Sequence, residues 1–155
     1  MDVNDYLIDQ AGHDWPTLLE DWSWLLPETF TLWLVNRFGD LFIVVDDGSV
    51  HMLDCGAGSI TRLADDRDHF ASLIGESDNA GNWLMIALVD DCVAAGLTLA
   101  GSEIYSYKTP PNLGGEYAVA NTEIADLAVH FSVNGQLQER IKDLPVGTTI
   151  DRVKI

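Results

Sequence analysis

Between Asp14 and Leu26 the apolar side chains recur at helical spacing, with Leu18, Leu19, Trp22, Leu25 and Leu26 on one stripe. Asp14 is placed to cap such a helix, Pro16 suits its first turn and Pro27 stops it, so the pattern predicts an amphipathic helix over 14–26. From Thr31 the period shortens to that of strands. Residues 31–37 are β-branched and aromatic, 41–45 are apolar, and 50–53 alternate less regularly. Phe38-Gly39-Asp40 and Asp46-Asp47-Gly48-Ser49 between them are turn chemistry. The pattern predicts a three-stranded antiparallel meander with one face that helices must cover.

Ser59 then reads as the N-cap of a helix carrying Ile60, Leu63, Ala64, Phe70, Ala71 and Ile74, ended by Gly75, with Asp65, Asp66 and Asp68 on its outer face. A second, more apolar helix is expected over 79–95, built on Trp83, Leu84, Ile86, Ala87, Val89, Val93 and Ala94, with Asp90 and Asp91 on its wet side and Gly96 at its end. A strand over 103–108 runs up to Pro110-Pro111, which forbid further ladder pairing. Another strand is expected over 124–131. Val133, Leu137, Ile141 and Leu144 at helical spacing then predict a helix closed by Pro145 and Gly147, and 149–155 reads as a terminal strand. A strand meander, helices and further strands, without βαβ alternation, make an α+β protein. No repeat or linker divides the chain, so 1–155 is expected to be a single compact domain, with 1–13 a loosely held N-terminal extension.

Composition changes this picture in one respect. The hydrophobic content of 47% and mean hydropathy of +0.07 fit a folded core, yet the chain carries 25 acidic and 8 basic side chains, a net charge of −17 and a pI near 4.1. Nucleic acid and anionic membranes both require basic patches and are excluded as partners. The imbalance is local: residues 1–107 hold 19 acids against 3 bases, and 108–155 hold 6 against 5. Such a surface is either a solvated, self-repelling shell or an electrostatic face for a cationic partner, for which Asp46, Asp47, Asp65, Asp66, Asp68, Asp90 and Asp91 are the candidate contacts. No basic leader and no apolar run near the ~18 residues of a membrane span are visible, so a cytoplasmic location is expected. Cys55 and Cys92 are expected to be free thiols, buried or half-buried.

Candidate chemistry is sparse. Gly56-Ala57-Gly58 lacks the third glycine of a dinucleotide loop and the Gly-Lys-Ser/Thr of a P-loop, and Thr61 stands where a nucleophile elbow around Ser59 needs glycine. His13, His51, His69 and His130 are scattered without ligand spacing, and neither Asp46-Asp47-Gly48 nor Asp65-Asp66-Arg67-Asp68 has the ligand order of a calcium loop. No catalytic residue, metal or cofactor is assigned. Trp15, Trp22, Trp24, Trp33 and Trp83 are read as core, because no basic groove accompanies them.

The most distinctive stretch is Tyr107-Lys108-x-Pro110-x-x-Leu113-Gly114-Gly115-x-Tyr117, with Asn121 following. Lys108 ends a strand, the prolines and glycines fix an irregular loop in which at least one glycine takes a positive φ, and Asn121 can cap the turn into the next strand. With Arg37-Phe38-Gly39-Asp40-Leu41-Phe42, the segment from Gly48 to Asp54, and Ile141-Lys142-Asp143-Leu144-Pro145, it resembles the C-terminal domain of the immunity proteins that protect bacteria from their own type VI secretion DNase effectors. The similarity spans roughly residues 15–155, with no room before Trp15 for the GAD-like N-terminal domain of two-domain members. The resemblance implies a non-enzymatic bacterial protein that binds and neutralises a cognate toxin. The acidic face independently suits a basic, nuclease-like one. The alternative is a small ligand-sensing module in which the loop from Lys108 to Asn121 forms a pocket for a carboxylate or phosphate.

Overall fold

Residues 2–144 are described by a computed structural model. Its central feature is a meander of β1 (Thr31–Val35), β2 (Leu41–Val44), β3 (Val50–Asp54) and β4 (Ser59–Ala64), each antiparallel to the next. The first three strands lie where alternation and turn residues place them, and Gly39 and Gly48 turn the chain at φ +84° and +86°. The fourth strand corrects the expected helix from Ser59. Ala57 and Gly58 donate back to the Asp54 carbonyl and Gly58 sits at φ +64°, so the chain reverses tightly and Ser59 pairs with Asp54 instead of capping a helix. Helix α2 (Arg67–Ile74) starts only after Asp66, whose carboxylate accepts from the His69 amide, and ends at Gly75.

Both faces of the meander are buried. Along β2, Leu41 and Ile43 enter one apolar cluster with Val35, Leu53, Trp22 and Phe131, while Phe42 enters another with Val50, Phe70, Leu84 and Tyr105. The near-continuous apolar run of 41–45 is the signature of a strand covered on two sides, and the one-sided meander expected above is revised accordingly. On the first face, residues 14–26 form not one helix but α1 (Trp15–Leu18) and a 3-10 turn over Glu20–Trp22. Asp14 caps α1 as expected, accepting from the amide and hydroxyl of Thr17. Tertiary packing overrides the helical period beyond it: Trp22 is buried against Trp24, and the Trp24 indole donates to the Gly135 carbonyl.

On the other face the expected helix over 79–95 breaks at Met85, which sits at φ +55° between α3 (Asn79–Trp83) and α4 (Ile86–Ala94). The Trp83 carbonyl, which an unbroken helix would give to residue 87, instead accepts from the side-chain amide of Asn36. A two-stranded sheet of β5 (Glu103–Tyr107) and β6 (Thr122–Asp126) is tied to the meander by the Tyr105 amide, which donates to the Arg37 carbonyl. The strand expected over 124–131 therefore lies earlier and stops at Asp126. That carboxylate accepts from the Ala128 and Val129 amides and starts α5 (Leu127–Ile141), so Phe131 is helical. The strand expected over 149–155 lies outside the described residues. Cys55 and Cys92 are free and buried. Among the described residues no helix is long and apolar enough to cross a membrane.

Candidate functional site

The turn between β1 and β2 is buried, which is unusual for a turn and obliges every polar group in it to find a partner. Asn36 supplies most of them. Its carbonyl oxygen accepts from the amides of Phe38 and Asp40, and its amide donates to the Asp40 carboxylate at 2.9 Å as well as to Trp83. The second oxygen of Asp40 accepts from the Cys55 amide at 3.0 Å. Asp40 is thereby fixed at 5% exposure.

Asp40 borders a cavity of about 420 Å³ whose walls also include Asp54 from the end of β3, Asp91 from α4, and Tyr107 and Tyr117 from β5 and the loop after it. Tyr107 stacks on Phe38 with ring centres 5.1 Å apart, and Tyr117 meets it edge-on at 5.6 Å. Gly56 lets Tyr107 approach, since a Cβ there would stand 3.1 Å from the tyrosine ring. Met52, Met85 and Leu88 complete the apolar part of the wall.

The electrostatics of this cavity follow from burial with no counter-ion among the described residues. Burial, and then the neighbouring Asp54 charge, push the Asp40 carboxyl up to about 7, against the opposing hydrogen bonds from Asn36 and Cys55. Asp54 is raised by burial, against the pull of the Gly56 and Ala57 amides. The Tyr107 phenol is driven far up by burial, with Asp40 adding to it, and Tyr117 is raised by burial, Asp54 and Asp40. Among the described residues no basic side chain lines the cavity, and neither does a serine, cysteine or histidine that could serve as a nucleophile. The described lining carries no positive charge, and a bound cation would favour the ionised form of all four groups.

The glycine-rich loop that frames Tyr117 is rigid by its own hydrogen bonds. Pro110 is buried, Pro111–Leu113 form a 3-10 turn, and Gly114 follows at φ +94°, as the sequence led us to expect of one of the two glycines. The Asn121 side chain accepts from the Thr109 amide and donates to the carbonyls of Thr109 and Glu116, clamping the loop shut. Lys108 contributes its backbone amide, which bonds the Asn121 carbonyl; its side chain is exposed and does not line the cavity. Leu113 is half-buried, and the neighbouring Asn112 bonds Gln138 on α5 and the Ala57 carbonyl. Gly58 packs so closely on Gln138 that a Cβ would clash with it.

The seven acidic residues singled out in the sequence fall into two places. Asp46 and Asp47 in the β2–β3 turn and Asp65, Asp66 and Asp68 at the start of α2 lie at one end of the meander. There Arg62 approaches Asp65 at 2.9 Å and Asp47 at 3.7 Å, while Asp46 accepts from Thr29 and Asp66 caps α2. Asp90 and Asp91 sit apart on α4, where Asp90 accepts from the Tyr6 hydroxyl at 2.8 Å and Asp91 borders the cavity. Sequence reasoning missed Asp40 and Asp54, because a carboxylate at a glycine-containing turn reads as solvated turn chemistry. The available signal was that Asp40 runs directly into the apolar Leu41-Phe42-Ile43-Val44. Of the histidines, His130 is buried against Gly39; among the described residues no group of three His, Cys, Asp or Glu side chains could hold a metal ion.

A comparison with curated proteins finds no match to this chain. A family model does match: "T6SS immunity protein Tdi1, C-terminal" covers residues 64–138, just under half of the chain. The matched stretch includes α2 to β6, most of α5, and the whole Tyr107–Asn121 motif that carried the resemblance in sequence. Residues 64–138 are thus similar to the C-terminal domain of type VI secretion immunity proteins.

Proposed function

We propose that this protein is a non-enzymatic immunity protein that binds and neutralises a cognate toxin in the bacterial cytoplasm, and that the toxin is a basic, nuclease-like protein. The family match carries the reading. The nature of the toxin is inferred from charge: a nuclease must present cations to phosphate, and 19 acids against 3 bases in residues 1–107 can occupy that groove with fast, steered association. Asp46, Asp47, Asp65, Asp66 and Asp68 are the proposed steering face at one end of the meander, with Asp90 and Asp91 as a second patch. The ligand-sensing alternative is less favoured, because Asn121 spends its side chain on closing the loop and the Lys108 side chain is exposed and does not line the cavity.

A toxin gene beside the one for this chain is the expected finding, and coexpression with its product tests the reading directly. The expected result is restored growth and a complex that survives purification. Asp68 makes no hydrogen bond or ion pair with a described residue, and Asp68→Lys is expected to slow association about tenfold at low salt, with little effect on dissociation. Absence of both rescue and complex formation with the wild-type protein would refute the reading.

A further inference from the structure

We propose that the cavity between the meander, α4 and the glycine-rich loop seats an arginine side chain projected by the partner toxin, its guanidinium held between Asp54 and Asp91 over the ring of Tyr117. The inference rests on the toxin-binding reading and names the group recognised.

Three independent observations carry it. The first is the concave site itself, about 420 Å³, with a buried Asp40 immobilised at its inner wall by Asn36 and the Cys55 amide. That volume is at the small end for ligand pockets and suits one long side chain better than a cofactor. The second is unspent hydrogen-bonding capacity. Among the described residues, the Asp91 carboxylate and the Tyr107 hydroxyl have no hydrogen-bond partner. Asp54 uses one oxygen, which takes both the Gly56 and Ala57 amides, and leaves the other free. The third is Tyr117, 58% exposed at the mouth and braced edge-on by Tyr107. An exposed, rigid aromatic beside a pocket is what an interface anchor requires.

Chemistry then selects among cations. A metal ion needs three or more ligands converging on a point, and no such set of His, Cys, Asp or Glu exists among the described residues. Carboxylates that stand around a cavity without converging suit a group that is itself extended. A guanidinium presents five donors in a planar fork, can reach two separated acceptors, and stacks on a tyrosine face; an ammonium is a compact, strongly hydrated point.

The test uses N-acetyl-arginine methylamide as the probe, titrated into the full chain and followed by NMR, with the lysine and citrulline analogues alongside. Citrulline keeps the shape of arginine without its charge. The expected result is saturable shifts confined to Asp54, Asp91, Tyr107 and Tyr117. Arginine should bind several-fold more tightly than lysine, and citrulline should be silent. Asp91→Asn and Tyr117→Ala, both at exposed positions, should each weaken the arginine probe about fivefold. Equal response to citrulline, or shifts scattered over the acidic surface, would overturn the proposal. The toxin separates the two readings. If it binds the Asp91→Asn, Tyr117→Ala double variant as tightly as the wild type, the cavity is not its anchor although the immunity reading stands. Failure to bind the wild type removes both the reading and the partner named here.

Discussion

Gly115→Ala is expected to destabilise the protein by about 3 kcal/mol or more, read as a lowered urea midpoint at unchanged slope. A Cβ at residue 115 would fall inside the van der Waals envelope of the Thr109 carbonyl, a backbone atom that cannot swing aside, and 2.7 Å from the Asn121 side-chain amide. The substitution therefore breaks the clamp that closes the loop. Asn121→Ala removes the same clamp without the overlap and should cost about 2 kcal/mol, since three hydrogen bonds are lost at a partly solvated site. Asn121→Asp should not rescue it, because the carboxylate would face the Thr109 and Glu116 carbonyls where an amide donates. Gly114→Ala meets no atom, and its cost is confined to the left-handed backbone, about 1 kcal/mol. If Gly115→Ala left the midpoint unmoved and only toxin binding failed, the loop would be a contact surface and not a structural element.

Two buried groups with opposite signs are expected to shape the pH dependence of stability. Burial holds His130 down to about 4, so the native protein refuses a proton that the unfolded chain accepts below its ordinary value near 6.5. Stability from this group is complete above that value and is lost as pH falls from 6.5 toward 4, about 3 kcal/mol in all. Asp40, pushed up to about 7, works the other way: the native state keeps a proton that the unfolded chain releases near 4, so stability falls as pH rises from about 4 to 7. Between about pH 4 and 6.5 the two slopes oppose each other. His130→Gln should therefore be less destabilising at pH 5 than at pH 7, by about 2 kcal/mol. Asp40→Asn should look worst near pH 4 and best at pH 8, having shed the cost of a buried charge. Urea melts of both variants across pH 4–8 check this, and curves parallel to the wild type would remove both groups from the account.

How much of this was legible in sequence depends on whether the deciding interaction was local. Asp14 and Gly75 act at the helix ends where short-range rules put them, and three strands follow from alternation and turn residues. The strand at Ser59–Ala64 was hidden because Ile60, Leu63 and Ala64 satisfy a helical spacing as well as a strand, and only pairing with β3 decides between them. Met85 breaks a helix whose propensity is sound because Asn36, 47 residues upstream of Trp83, claims a carbonyl. The same distance defeats the site. Tyr107 and Tyr117 were marked by the motif and Asp91 by charge, but Asp40 and Asp54 become cavity residues only when the meander and the later loop meet.

The buried turn around Asn36 has a consequence for amide exchange. Short connections usually open locally and protect their amides poorly. This one is bonded to Trp83 through a side chain, to Tyr105 through the Arg37 carbonyl, and to Cys55 through Asp40, so it cannot open without releasing three distant segments. Native-state hydrogen exchange should find the Phe38 and Asp40 amides among the slowest in the protein, exchanging only with global unfolding, whereas amides on the solvent face of α5, the longest helix described, exchange sooner. Rapid exchange at residues 38 and 40 would mean that the turn is not the junction on which the cavity depends. Slow exchange there makes a hairpin bend the most deeply protected part of the molecule, and the wall that carries Asp40 as persistent as the fold.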